Sequence, residues 1–334
     1  MLSIYAYAFG SYGSTLFPDA DQTLWKHILI TASVLTLTGL NLLSARLIGE
    51  AEELIVILKL AILLLFVGAG ATGIDTARIA PANWAPLPSL IAGGMIIFIA
   101  YEGFELIANT AGDVRSPART LPRAFYASVG FVIVLYIGVA LVTIGTLPTD
   151  RIVAAKDYAL AAAARPFLGQ TGYLLITIAA LLSTASAINA TVYGAARLSY
   201  VIAKDGELPR WMAHKVWNTP IEGLLITAGA TVVIANGIDL SSLSTMGSAG
   251  FLLIFAAVNL AHARLADATG GRRWISIIGA ALCLGALASL IWHSATRAPS
   301  QLWILAGMLA LSAGIEGSFR WISGRTLRLT PRTD

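Results

Sequence analysis

Apolar runs of about twenty residues recur along almost the whole chain, and no other feature constrains its folding so tightly. An α-helix needs roughly 20 residues to cross about 30 Å of hydrocarbon. Backbone exposed to lipid must satisfy its own hydrogen bonds, which leaves helices as the form such runs can take. The runs fall at 1–17, 27–46, 54–74, 89–109, 124–147, 171–191, 222–238, 247–265, 274–293 and 301–320. These spacings predict an all-α, polytopic membrane protein with about ten transmembrane helices.

Composition agrees, since 57% of the 334 residues are hydrophobic and only 12% charged, against about a quarter charged in a soluble domain. Tryptophan favours the membrane–water boundary. Trp25, Trp84, Trp274, Trp292, Trp303 and Trp321 flank the runs, while Trp211 and Trp217 fall in the loop after the sixth. Lys and Arg collect in cytoplasmic loops. One set of alternate loops and ends holds fifteen of the 22 basic residues and the opposite set six, with Lys59 inside a run. The richer side is predicted to be cytoplasmic, with both termini on it and the chain multi-pass in the cytoplasmic (plasma) membrane. Topology thus accounts for the net charge of +4, and no nucleic-acid partner is needed.

Several chemistries lack support. The single cysteine, Cys283, lies in the ninth run, and His27, His214, His262 and His293 lack the i, i+4 spacing of a zinc helix. No nucleophile elbow, P-loop or dinucleotide fingerprint occurs, so the expectation is no catalytic residues, no metal, no cofactor and no enzyme activity. The amino terminus lacks the basic region and cleavage site of a signal peptide.

The stretch "FIAYEGFELIANTAGDVRSPARTLPRA", residues 98–124, is the exception to the oily pattern. An ionised acid near the bilayer centre costs on the order of 2.5 to 3.5 kcal/mol, and a large apolar residue returns only about 0.3 to 0.6. Counted from Ser89 at about 1.5 Å per residue, Glu102 sits roughly two-thirds of the way across. Glu102 and Glu105 therefore imply a hydrated cavity, a cationic partner or a protonated carboxyl. Gly103 lets the helix open, and opened backbone is tolerated at that depth only where it lines a cavity or is covered by protein. The competing reading is a continuous helix, with Glu105 at the interface and Glu102 hydrogen-bonded to a neighbour.

These residues resemble the sixth helix and following loop of the amino acid, polyamine and organocation (APC) superfamily of permeases. "LTLTGLNLLSARLIGEAEELIVILKLAILLLF" is similar to that family's fourth and fifth helices, and "INATVYGAARLSYVIAKDGELPRW" to the end of its eighth helix and the next loop. The resemblance implies a LeuT-like transporter of two inverted repeats and two extra helices, with substrate held where the first helix of each repeat unwinds. Residues 1–74 would be the remainder of the first repeat, 89–265 the second repeat, 274–320 the extra helices and 321–334 a cytoplasmic tail. The backbone at Ile99, Ala100, Tyr101, Glu102 and Gly103 would bind the ammonium end of an amino acid, with Phe98 and Phe104 as apolar neighbours. No stretch corresponds to the family's first two helices, so the fold is expected to be N-terminally truncated, apparently lacking those two.

Lys59 matches the position where some members carry a lysine associated with proton coupling. Burial of a charged lysine lowers its pKa, which suits a proton switch; equally, it could snorkel to the headgroups, with Glu52 seven residues earlier on the same face. Ser183 and Thr184 either line the same coupling region or bond back to their own helix. "YALAAAAR" in the external stretch 149–166 predicts a short surface helix. Asp113 and Arg115 are candidates for a gating ion pair or for solvated charges. The resulting expectation is proton-coupled transport of amino acids or related amines, with membrane lipid as surroundings and oligomeric state unspecified. The alternative is a non-transporting, truncated remnant or scaffold subunit of a permease. Glu102 could attract a basic side chain, hold a proton or pair with Lys59.

Overall fold

A computed structural model describes residues 1–43, 45–104, 107, 114–204, 206, 208–209 and 221–323, with 43, 45–52, 322 and 323 as backbone only. Glu105, Asp113, the loop with Trp211, His214 and Trp217, the tail beyond 323 and the side chain of Glu52 lie outside what is described.

The described residues form helices α1 (Leu2–Ser14), α2 (Gln22–Leu43), α3 (Ala45–Ala71), α4 (Thr76–Ile79), α5 (Leu87–Ile96), α6 (Pro117–Thr146), α7 (Thr149–Ala155), α8 (Ala159–Lys204), α9 (Ile221–Gly237), α10 (Leu240–Thr269), α11 (Arg273–Arg297) and α12 (Pro299–Ser323). Seven helical stretches among them are long and apolar enough to cross a membrane. The other three expected runs, 1–17, 89–109 and 222–238, contain the shorter helices α1, α5 and α9.

Local chemistry sets the ends. Asp21 Oδ1 accepts from the Thr23 and Leu24 amides at the start of α2. Asp239 caps α10, its Oδ1 accepting from the Ser242 amide and its Oδ2 from the Ser242 hydroxyl at 2.7 Å. Such caps satisfy donors that a helix start leaves orphaned. Gly270 ends α10 in the left-handed region, φ 67°, and Pro117 opens α6, where its missing N–H is not needed.

Three apolar clusters organise the bundle. Ala6, Ile30, Val34, Ile188, Val192 and Leu224 join α1, α2, α8 and α9. Phe66, Val142, Ala163 and Ile176 join α3, α6 and α8. Leu252, Leu290 and Leu305 join α10, α11 and α12, with Met95 and Phe98 packed against them. α8 belongs to two clusters and is the most enclosed spanning stretch, whereas α12 is the least buried. Trp274, Trp292, Trp303 and Trp321 are all exposed on the protein's outer surface, as interfacial tryptophans should be.

One expectation is corrected. The alanine-rich stretch is not a surface helix: Ala161, Ala163 and Ala164 are wholly buried, inside a 46-residue α8 that bends at Gly169, φ 62°. Their small side chains let this segment press into the α3–α6 cluster. The short helix of the stretch is α7, seven residues long and ending just before the alanine-rich segment. A polar tie also crosses the first cluster, where buried Asn41 donates from Nδ2 to Asn189 Oδ1 at 2.5 Å and to the Leu37 carbonyl.

Candidate functional site

The fifth helix stops inside the apolar run. Regular α-helix ends at Ile96, a tighter 3-10 turn covers Ile97–Tyr101, and Glu102 is extended at φ −67°, ψ 153°. Gly103 follows at φ +114°, where a Cβ would be strained. The ladder is therefore interrupted at the residues where a glycine and an acid sit together in oil.

What holds the interruption open comes from distant parts of the chain. Ser248, on α10 and fully buried, inserts its hydroxyl between two backbone groups of the turn. It donates to the Ile96 carbonyl at 2.9 Å and accepts from the Ile99 amide at 3.1 Å. A side chain entering the ladder in this way is a recognised cause of helix distortion. Gly247 makes room beside it, since a Cβ there would collide with the Ile99 side chain. Tyr136 of α6 donates its hydroxyl to the Ala100 carbonyl at 3.1 Å. Tyr5 of α1 donates to Glu102 Oε2 at 3.3 Å. Three helices thus supply polar groups to one irregular segment, consistent with the rule that such backbone at membrane depth must be covered by protein or face a cavity.

Aromatic rings border the segment. Phe98 meets Phe255 edge-on at 6.2 Å, and Phe104 stacks on the same Phe255 ring at 5.6 Å while also meeting Phe125. Tyr101 and Tyr136 lie 5.3 Å apart. Of the expected substrate-binding residues, Ile99 is buried, Phe98, Tyr101, Glu102, Gly103 and Phe104 are half-buried, and Ala100 is exposed.

The expected coupling residues are distributed differently. Lys59 is half-buried on α3 and makes no ion pair with a described residue. Thr184 donates its hydroxyl to the Ala180 carbonyl of its own helix at 2.7 Å, which is the back-bonding arrangement. Ser183 is half-buried on α8. Among the described residues no group of three His, Cys, Asp or Glu gathers as a metal would require.

Sequence reading missed Ser248, Gly247, Tyr136, Tyr5 and Phe255. The small, polar run "STMGSAG" around Ser248 was a signal of close helix approach. Tyr136 and Tyr5 carried none, because an aromatic in an apolar run usually packs.

Interrupted spans within helical bundles are a recurring feature of secondary transporters. The family profile described as amino acid permease matches residues 1–313, and the chain belongs to that family. It is 36% identical over 330 residues to an uncharacterized protein of Methanocaldococcus jannaschii, covering 97% of this chain and 75% of that one. It is 31% identical over 317 residues to the inner membrane transport protein YbaT of Escherichia coli, covering 92% of this chain and 72% of the relative. The branched-chain amino acid permease BcaP of Lactococcus lactis is 29% identical over 228 residues, 64% of this chain and 47% of BcaP. The family is one of transporters, not enzymes.

Proposed function

We propose that the protein is a secondary active transporter of amino acids or related amines across the cytoplasmic membrane, driven by protons. The observation that carries this reading is the segment from Ile97 to Gly103 that leaves the α-helical ladder, held by Ser248, Tyr136 and Tyr5 beside its own 3-10 bonds. An α-ammonium has donors and no acceptor, so it is well matched by carbonyls that have left a regular helix. The half-buried rings of Phe98 and Phe104 would shield the apolar part of the substrate. Glu102, within reach of the Tyr5 hydroxyl, would add negative potential at the ammonium end and favour amines over neutral polar solutes. Lys59, a cationic side chain half-buried within an apolar span, would carry the coupled proton. Ser183 and Thr184 would line the coupling region on α8 through their oxygen lone pairs. The excess of Lys and Arg on one set of loops supports both termini being cytoplasmic.

Uptake of radiolabelled amino acids into proteoliposomes, with and without an imposed pH gradient, tests the reading. Accumulation of a neutral or basic amino acid that depends on an acidic exterior is the expected result. Absence of uptake for every amino acid and polyamine offered, by protein shown to be folded, would remove it.

A further inference from the structure

A second cleft lies beside the connection from α4 to α5, which belongs to the arginine-poor set of loops. It has a volume of about 790 Å³ and opens between the turn after α4 and the facing ends of α5, α6 and α7. Its apolar wall is Leu90, Leu141 and Ile144, all exposed on the outer surface where lipid would lie. Trp84, 62% exposed, stands at its rim, the residue type that settles at headgroup depth.

Arg78 is the single charged residue among the described residues lining this cleft. Its Nε donates to Asp75 Oδ2 at 3.2 Å, and its buried Nη1 has no acceptor among the described residues. A guanidinium offers five donors in a planar fork suited to phosphate oxygens, and Asp75 engages only one edge of it. The other polar side chains of the turn are committed to holding its shape. Asn83 Nδ2 donates to the Ala77 carbonyl at 2.7 Å, Trp84 Nε1 donates to the Ile79 carbonyl at 3.0 Å, and Asp75 Oδ1 accepts from the Ala77 amide. The Asp75 amide in turn donates to the Gly145 carbonyl of α6, so the turn is fastened to the helix whose side chains form the apolar wall.

We infer that this cleft binds one phospholipid, its phosphate on the Arg78 guanidinium and an acyl chain against Leu90, Leu141 and Ile144. A cation beside an apolar groove at interfacial depth is the complement of an anionic headgroup joined to a hydrocarbon tail. Phosphatidylglycerol fits better than phosphatidylcholine, whose choline would add a second cation beside Arg78.

Native mass spectrometry of the purified protein in detergent, titrated with dioleoyl phosphatidylglycerol, tests this. Wild type should hold one lipid, and Arg78→Gln should need about fivefold more lipid for the same occupancy, the effect of one basic residue at a membrane surface. Leu141→Trp, which fills the groove without touching the Asp75–Arg78 pair, should weaken binding as well. Glycerol 3-phosphate at the same concentration should not displace the lipid. Unaltered occupancy in either variant, or displacement by glycerol 3-phosphate, would overturn the assignment, the latter by revealing a site for free phosphate.

Discussion

Replacing Ser248 with alanine removes one oxygen and leaves two backbone groups of the opened segment without their partner. The bonds lost run to the Ile96 carbonyl at 2.9 Å and from the Ile99 amide at 3.1 Å, around a side chain that is fully buried. Hydrogen bonds between membrane helices average about 0.6 kcal/mol and reach about 1.7, because the unfolded chain in lipid also finds partners. Two such bonds amount to roughly 1 to 3 kcal/mol, less whatever is regained if the turn closes directly from Ile99 to Ile96. That closure would also tighten the segment and withdraw the neighbouring carbonyls from substrate. Ser248→Ala should therefore lower the melting temperature of the detergent-solubilised protein by a few degrees and reduce uptake by about tenfold, mainly through KM. Ser294 provides a matched control, since it is equally buried but its hydroxyl has no hydrogen-bond partner among the described residues. Ser294→Ala removes an unsatisfied polar atom and should be neutral or stabilising. Equal behaviour of the two variants in both assays would refute the view that Ser248 holds the break open.

Gly103→Ala places a side chain at φ +114° and should cost on the order of 1 to 3 kcal/mol of backbone strain; a variant melting with wild type would show that the left-handed geometry is dispensable. Lys59→Ala should abolish accumulation driven by a pH gradient while leaving exchange down a substrate gradient, and undiminished accumulation in liposomes would remove lysine from the coupling step. At Asp239, burial by itself would raise the carboxyl pKa. Hydrogen bonds from the Ser242 hydroxyl and amide and from the Ser241 amide outweigh it, so the group is held below its ordinary value. Stability from this cap is present above the unfolded-state pKa and lost as pH falls through the depressed folded value. Asp239→Ala should destabilise by about 1 kcal/mol at neutral pH, whereas Asp239→Asn should retain the cap and flatten that acid limb in pH-dependent melting; an unchanged acid limb in Asp239→Asn would count against the assignment.

Hydropathy made the class of protein legible, because the energy of placing a residue in hydrocarbon is local and sums along one helix. The same local arithmetic singled out Glu102 and Gly103, whose presence in an apolar run had no ready solution in a continuous span. It also marked Trp84 and Trp292 as boundary residues, since an amphipathic ring chooses its depth without help from the fold. Helix packing was not legible in this way. The alanine-rich stretch reads as a surface helix by propensity, yet close approach of α3 and α6 buries Ala161, Ala163 and Ala164 completely. The clasp on the opened segment joins Ile99 to Ser248 across 149 residues of sequence, and Tyr136 reaches Ala100 across 36. A hydroxyl or phenol in an apolar run has the same composition whether it bonds its own helix, as Thr184 does, or another, as Ser248 does. Only the packing of α10 and α6 against the turn decides between them, because a hydrogen bond depends on where two atoms meet in space and not on how either is spaced along its strand of sequence.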